Sequence, residues 1–96
     1  MAEGDVRVHI RVKGRVQGVG FRAFVVASAD LNGVVGWVRN VGWNTVECVA
    51  EGSREKVDQF ILAVKSGPRA SRVDESWVEE ETPTGEFSAF EMRSSR

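Results

Sequence analysis

The sequence predicts an α+β fold in which two helices pack on one face of an antiparallel sheet. Three observations predict it. Hydrophobic residues recur at every second position in the first segment, and they change to helical spacing in two later segments. Short β segments bounded by turn residues lie between and after the helical ones. The resulting order of elements is β-α-β-β-α-β, and a short fifth strand can follow.

The first strand is predicted over residues 6–13, where apolar residues alternate with basic residues and His9. This period of two indicates one buried face and one basic, solvated face. From Phe21 onward the apolar residues fall at helical spacing, which predicts the first helix. Asn32 and Gly33 supply the left-handed stop that ends this helix.

The remaining β segments are short, and they are predicted at about residues 34–39, 45–51 and 71–80, with a final one within 87–93. Residues 40–44 join the second and third strands as a hairpin. The second helix has Ser53 as its expected N-cap and ends at Gly67 and Pro68. Two helices can cover only one face of a four-stranded sheet, so this order predicts the split βαβ, ferredoxin-like sandwich.

Length and composition narrow the class of protein. The chain has 96 residues, 42% of them hydrophobic and 28% charged, so we expect one domain spanning residues 1–96. Residues 1–5 are polar and acidic, unlike a secretory signal, and no apolar run approaches the ~18 residues that cross a bilayer. We therefore expect a cytoplasmic protein with no membrane partner, most simply a monomer.

The net charge and the few metal-ligating residues argue against a nucleic-acid-binding protein and a zinc-stabilised domain. The formal net charge of −1 gives no general reason to expect a nucleic-acid partner. One cysteine, Cys48, and one histidine, His9, are too few for a structural zinc site. If the protein handles anions, it must do so through a local site.

The most informative stretch is residues 14–22, which run from the first strand into the first helix. Its three glycines allow a tight turn in which successive N–H groups converge, and the helix start adds free N–H donors and partial positive charge. Arg22 adds a planar, permanently charged fork. These features predict a site for a phosphate-like anion, but a tight turn with a helix-capping arginine explains the residues equally well. The glycine spacing matches neither the Walker A motif nor the dinucleotide fingerprint.

A second cluster, residues 36–40, ends the second strand with Asn40. The side-chain amide of Asn40 offers an acceptor oxygen and two donor N–H bonds, and it does not ionise near neutral pH. It could hold a water molecule with a lone pair aimed at an electrophile. Taken alone, an asparagine at this place more often starts a turn.

Together, the two clusters resemble the signatures of the acylphosphatases, and the resemblance spans roughly residues 6–93. The first signature, Gly-x-Val-x-Gly-Val-x-Phe-Arg, is met by Gly14, Val16, Gly18, Val19, Phe21 and Arg22. The second signature, Gly-aromatic-Val-basic-Asn with a later Gly-x-Val, is met by Gly36, Trp37, Val38, Arg39, Asn40 and Val46.

The resemblance implies an enzyme that hydrolyses carboxyl-phosphate anhydrides to a carboxylate and inorganic phosphate, with no metal or other cofactor. Six residues would cradle the phosphoryl oxygens with their backbone N–H groups: Arg15, Val16, Gln17, Gly18, Val19 and Gly20. Arg22 would bind the same oxygens bidentately, and Asn40 would orient the attacking water.

Two positions depart from the family pattern. Asn44 stands where the pattern has a hairpin glycine, and we expect it to adopt the left-handed conformation that asparagine tolerates. Its neighbour Trp43 is expected either to line the mouth of the site or to be an exposed hairpin residue with no role. Residues 94–96 extend past the end of many members. The contact that some members make between a terminal carboxylate and the catalytic arginine is therefore in doubt here.

Two non-catalytic alternatives remain open. An RNA-binding module uses the same order of elements, and residues 18–25 superficially resemble its aromatic RNP1 segment. Against it, Phe21 and Phe24 fall at helical spacing and the chain is slightly acidic. The other alternative is an anion-binding domain with the family's fold but weak turnover. A related domain opens a large hydrogenase-maturation protein, whose cysteine-rich segments this sequence does not contain.

Overall fold

The computed structural model describes residues 4–96, so residues 1–3 of the acidic N-terminal segment lie outside the described residues. Its elements run in the order β1 (Asp5–Arg15), α1 (Phe21–Asn32), β2 (Val35–Val41), β3 (Thr45–Ser53), α2 (Arg54–Ser66), β4 (Arg72–Glu81) and β5 (Phe90–Met92). This order confirms the predicted one, including the short fifth strand. Within residues 4–96, no helix is long and apolar enough to cross a membrane.

The strands of the described residues form one sheet with the order β4-β1-β3-β2-β5. β1 lies antiparallel to both β3 and β4, and β2 lies antiparallel to β3. With the two helices, these four strands make the predicted α+β, ferredoxin-like sandwich. β5 adds a short parallel edge beside β2, so the complete sheet is mixed where the sequence predicts an antiparallel one.

The hydrophobic core lies between the helices and one face of the sheet. Ile10 and Val12 of β1 are fully buried, as the alternation of that strand predicts. Phe21 of α1 and Phe60 of α2 are the largest fully buried side chains, and Phe60 packs against Phe90 with ring centroids 5.5 Å apart. Removing this apolar surface from water is the dominant stabilising contribution to such a fold.

Cys48 faces this core between Val46 and Ala50. Burial raises the pKa of its thiol, and the neighbouring carboxylate of Glu47 raises it further. The thiol therefore stays protonated near neutral pH and has the character of a small apolar core side chain.

The open face of the sheet carries ion pairs, and the sequence-based prediction of a solvated His9 is wrong. His9 Nε2 lies 2.6 Å from Glu47 Oε2, and the nearly buried Glu47 also accepts a 2.7 Å hydrogen bond from Arg39. The reason is the strand order. Because β3 lies between β1 and β2, Glu47 stands opposite Arg11 on one side and Arg39 on the other. Burial by itself would raise the pKa of Glu47, but the hydrogen bonds from Arg39 and His9 lower it.

A second buried carboxylate, that of Glu51 in β3, forms hydrogen bonds with the segment that connects β4 to β5. It accepts hydrogen bonds from Arg7 at 2.8 Å, from the N–H and hydroxyl of Thr84 at 3.1 and 2.9 Å, and from the N–H of Gly85 at 3.0 Å. Burial by itself would raise the pKa of Glu51, but these donors stabilise the charged form and lower that pKa.

Glu51→Ala is expected to lower the free energy of unfolding by about 1–3 kcal/mol, because the N–H groups of Thr84 and Gly85 lose their buried acceptor, whereas Arg7 keeps its ion pairs with Glu81 and Glu86. Since folding lowers the pKa of Glu51, its stabilisation is complete above the pKa of an unfolded glutamate, about 4.3. It is lost as the pH falls from there through the lower folded value.

Urea unfolding of the wild type and Glu51→Gln checks this pH dependence. The gap between their unfolding free energies should be largest near neutral pH and should shrink progressively as the pH falls below about 4. Glu79→Gln, on the exposed edge strand β4, is the matched control. A gap that stays the same at both pH values would contradict the assigned role of the Glu51 carboxylate.

Candidate active site

Residues 16–20 connect β1 to α1 by a tight turn that depends on two glycines. Gly18 and Gly20 have φ angles of 73° and 75°, the left-handed region that other residues avoid. A Cβ atom at either position would meet nothing within 4 Å, so the requirement there is conformational and not one of crowding. The turn brings the chain directly into the first turn of α1.

The backbone N–H groups at the start of α1 have no side-chain acceptor within residues 4–96 that would compete with a bound anion. Gly20 occupies its N-cap position, and among the described residues no side chain caps the helix and no acidic residue occupies its first turn. The first N–H groups of a helix lack partners within the helix and carry partial positive charge. Together with the turn before them, they form a concave set of donors suited to an anion.

A small cavity of about 170 Å³ opens against this helix start. It is lined by one side of the turn, by the first residues of α1 and by the ends of β2 and β5: Val16, Gly18, Gly20, Phe21, Arg22, Ala23, Asn40 and Met92. The cavity thus brings together Arg22 and Asn40, the two side chains that the sequence singles out. None of its lining residues carries a carboxylate, thiol or imidazole.

Arg22 supplies the permanent charge of this cavity. It is the second residue of α1 and is half-buried. None of the ion pairs formed among residues 4–96 involves its guanidinium. Its five N–H donors are therefore not neutralised by a protein carboxylate, which leaves the planar fork available for a bidentate anion.

Asn40 supplies an acceptor. The sequence leaves open whether it starts a turn; in the structure it lies within β2, opposite Val46 of β3. Its Oδ1 is buried, and it is the one buried side-chain polar atom of the described residues with no hydrogen-bond partner. An unpaired buried acceptor costs about 1–3 kcal/mol, so its presence at the cavity wall calls for a functional explanation.

Gln17 joins the turn to the β2–β3 hairpin, a contact that sequence reasoning missed. Its Nε2 donates to the carbonyl oxygens of Thr45 at 2.9 Å, Gly42 at 3.1 Å and Val41 at 3.3 Å. The N–H of Gly14 adds a second link, 3.0 Å from the carbonyl oxygen of Asn44. The only available signal in the sequence was a long side-chain amide within a turn of glycine and valine.

The other residues of the predicted cradle have different surroundings. Val16, Gly18 and Gly20 line the small cavity, whereas Arg15 and Gln17 line a neighbouring cavity of about 480 Å³. The side chain of Val19 packs against the hydrophobic core. Since a cradle binds through backbone N–H groups, these side-chain positions leave the predicted role of the backbone open.

The hairpin corrects one expectation. Asn44 does not adopt the left-handed conformation, because Gly42 takes it with a φ of 60° and no non-glycine residue within 4–96 has a positive φ. Glycine adopts this conformation without steric cost, so the turn over residues 42–44 closes without a left-handed Asn44. Trp43, at the tip, is 82% exposed and lines the larger cavity.

The tail reaches the site through its backbone. The N–H of Arg96 donates to the carbonyl oxygen of Asn40, and the N–H of Gly42 donates to that of Arg96, both at 2.9 Å. Residues 94–96 therefore continue alongside the end of β2. These two hydrogen bonds hold the backbone of β2 on the side opposite β3. The tail forms no ion pair with Arg22 within residues 4–96.

The RNA-binding alternative requires exposed aromatic residues on the open face of the sheet. Phe21 and Phe24 instead lie in α1, with ring centroids 6.3 Å apart in an edge-to-face arrangement, and Phe21 is buried. The segment that superficially resembles RNP1 is therefore part of the core side of the molecule.

Comparisons with known proteins converge on one family. A family model described as Acylphosphatase matches residues 8–92. A protein named Acylphosphatase from Syntrophotalea carbinolica is 46% identical over 88 residues, which cover 92% of this chain and 96% of that protein. The crystal structure of acylphosphatase from Bacillus subtilis is similar with a TM-score of 0.87 at 39% identity, covering 92% of this chain and 98% of that one. An acylphosphatase structure from Coxiella burnetii gives 0.89 at 31% identity, covering 97% and 100%.

Proposed function

Because the chain belongs to the acylphosphatase family, we propose that the small cavity beside α1 is where it hydrolyses acyl phosphates. The enzyme is a hydrolase that converts an acyl phosphate into a carboxylate and inorganic phosphate. The observation that carries the proposed location is the unpartnered Oδ1 of Asn40 in the same cavity as Arg22 and the helix start.

The phosphoryl group is proposed to bind through its non-bridging oxygens. Backbone N–H groups of residues 15–20 and of the first turn of α1 donate to these oxygens, and the guanidinium of Arg22 binds two of them. In phosphoryl transfer, negative charge spreads over the equatorial oxygens in the transition state. Donors that are already fixed in place stabilise this charge without reorganising during the reaction.

Asn40 is proposed to position the attacking water. Its buried Oδ1 accepts a hydrogen bond from the water, which leaves a lone pair of the water oxygen directed at phosphorus. An amide is too weak a base to remove a proton, so its contribution is orientation. This role explains why an amide oxygen lies buried and unpaired at this position, although its burial costs free energy of folding.

The reaction then balances without a protein acid or base. The water oxygen forms a bond to phosphorus, and the bond between phosphorus and the acyl oxygen breaks, so its electron pair leaves on the carboxylate. Carboxylate is a good leaving group and needs no proton. The proton of the water passes to a phosphate oxygen, in keeping with a cavity whose lining lacks carboxylate, thiol and imidazole groups.

The finer properties of the enzyme are part of the same proposal. The positive charge of the site comes from N–H groups and Arg22, which supply the electrostatic stabilisation that a metal supplies elsewhere, so we propose a metal-independent reaction. Both side chains and the loop come from one chain, which supports a monomer. The single buried Cys48 suits a reducing, cytoplasmic compartment.

Hydrolysis of benzoyl phosphate with and without a metal chelator tests the proposed function. We expect rapid release of benzoate and phosphate by the wild type, with a rate that the chelator leaves unchanged. A rate that falls with chelator and returns with added Mg²⁺ would contradict metal independence. A folded wild type with no turnover would contradict the function itself.

Gln17→Ala is expected to lower kcat about 10- to 100-fold, because the hairpin that carries Asn40 loses its tie to the loop. Inhibition by inorganic phosphate should change little. A sharper test is the kcat of the double variant that combines Gln17→Ala with Asn40→Ala. If Gln17 acts by positioning Asn40, its substitution should have little further effect once Asn40 is gone. An equal loss in both backgrounds would show that Gln17 supports the fold or the loop instead.

A further inference from the structure

The side-chain oxygen of Asn40 depends on the backbone of β2 for its position. Its Oδ1 accepts no hydrogen bond from the described residues, so no protein donor fixes this oxygen at the place where the water is proposed to bind. Asn40 is also the second-last residue of β2, and strand ends open readily when their backbone groups are not held. The partners of this backbone therefore determine how well the water is placed.

The carbonyl group of Asn40 faces away from β3. The carbonyl oxygen of Val38 accepts a 2.8 Å hydrogen bond from the N–H of Arg93, on the β5 side of β2. Every second residue of a strand directs its backbone groups to the same side, so the carbonyl of Asn40 faces that side as well. In the pairing of β2 with β3, Asn40 and Val46 are then opposite each other without exchanging hydrogen bonds.

The tail, residues 94–96, supplies the donor that β3 does not. β5 ends at Met92, and beyond it the N–H of Arg96 donates to the carbonyl oxygen of Asn40 at 2.9 Å. The carbonyl oxygen of Arg96 accepts a hydrogen bond from the N–H of Gly42, also at 2.9 Å. The backbone of Arg96 thus bridges the two residues on either side of the end of β2.

The tail reaches this position by an irregular path. Arg93 donates to Val38 and Arg96 donates to Asn40, so three steps along the tail match two steps along β2. A regular pair of parallel strands advances by two residues on both sides, so the tail contains one extra residue, as a β-bulge does. Because of this extra residue, the donor to Asn40 is Arg96 and not Ser95.

We propose that Arg96 is a positioning residue for the reaction: its backbone fixes the carbonyl of Asn40 and thereby directs Oδ1 toward the attacking water. This inference rests on the proposed function, because it assumes that Asn40 holds that water. It goes beyond that function in assigning a role to the tail. Loss of this hydrogen bond should reduce turnover and spare phosphate binding, because Arg22 and the N–H groups of the loop hold the phosphoryl oxygens.

Proline at position 96 removes the N–H donor and leaves the rest of the tail in place. Arg96→Pro should lower kcat for benzoyl phosphate about 10-fold, with little change in inhibition by inorganic phosphate. Ser95→Pro is the matched control, because the N–H of Ser95 takes part in none of the backbone hydrogen bonds formed outside the helices and strands of residues 4–96. Arg96→Ala keeps the N–H and should restore kcat, which separates the backbone of Arg96 from its side chain.

The Asn40→Ala background shows whether the tail acts through Asn40. Arg96→Pro should have little further effect on kcat in that background, whereas a tail that only stabilises the fold would give the same loss in both backgrounds. Deletion of residues 94–96 removes the same donor, should reproduce this pattern, and takes the place of Arg96→Pro if that variant does not fold.

Three results would overturn the positioning role while wild-type turnover leaves the proposed function standing. They are an unchanged kcat when the donor is removed, equal losses in the two backgrounds, and an equal loss in Ser95→Pro. Loss of kcat in Asn40→Ala with none in Arg96→Pro would refute the role of the tail alone. An unchanged kcat in Asn40→Ala would refute the proposed water-holding residue and the role of the tail together.

Discussion

Arg22→Ala is expected to lower kcat/KM for benzoyl phosphate by about 10³-fold or more. The side chain provides a charge-assisted, bidentate contact in a cavity where no protein carboxylate of the described residues neutralises it. Removing it should weaken binding of inorganic phosphate as well, because the same oxygens are bound in substrate, transition state and product. Steady-state kinetics and phosphate inhibition measure both effects.

Arg22→Lys separates charge from geometry. Lysine keeps the positive charge but lacks the planar fork, so we expect it to recover only a small part of the lost activity. Arg69→Ala removes an exposed arginine from the segment between α2 and β4 and serves as the control for lost surface charge. Wild-type activity in Arg22→Ala would mean that this guanidinium only caps the helix, the alternative that its sequence context left open.

Asn40→Ala is expected to lower kcat by about 10²- to 10³-fold while leaving inhibition by inorganic phosphate nearly unchanged. Positioning a water acts on the transition state and contributes little to holding the phosphate, so turnover and binding should separate. The variant should also keep its fold, because the lost oxygen has no protein partner within residues 4–96. Near-UV circular dichroism checks that point.

Asn40→Asp is the companion variant, since it preserves size and an acceptor but adds a negative charge beside the phosphoryl site. We expect it to lose both turnover and phosphate affinity through like-charge repulsion. If Asn40→Ala instead loses phosphate binding together with turnover, Asn40 is a structural residue and the water has another holder.

Much of the fold follows from local pattern. The alternation in β1 and the stripe of apolar residues in α1 and α2 reflect burial on one face, which neighbouring residues in the sequence already specify. The glycine turn is local too, because Gly18 and Gly20 are needed by their own backbone conformation. Arg22 follows them in the first turn of the helix, so its place in the cavity could be anticipated.

What could not be predicted depends on which strands become neighbours. The alternation in β1 predicts a solvated His9, but β3 lies between β1 and β2 and brings Glu47 within 2.6 Å of it. The approach of Asn40 to the glycine turn likewise depends on a long-range tie, made by the side chain of Gln17 to hairpin carbonyl oxygens. No local pattern reports such contacts, so only the resemblance to a family linked the two clusters in advance.

The backbone conformation of the β2–β3 hairpin could not be predicted correctly either. The resemblance to the family pattern predicts a left-handed residue at Asn44. The chain uses Gly42, because glycine pays no steric penalty there. Trp43 lies between Gly42 and Asn44 at the exposed tip and is one of the residues that line the larger cavity.

The central claim is that water attacks the phosphorus of the acyl phosphate, and isotope incorporation tests it most directly. The wild type would hydrolyse benzoyl phosphate in water enriched in oxygen-18, and mass spectrometry would locate the label after correction for the uncatalysed reaction. Attack at phosphorus predicts one labelled oxygen in the inorganic phosphate and none in benzoate. Label in the benzoate would show attack at the carbonyl carbon and would contradict the roles assigned to Arg22 and Asn40.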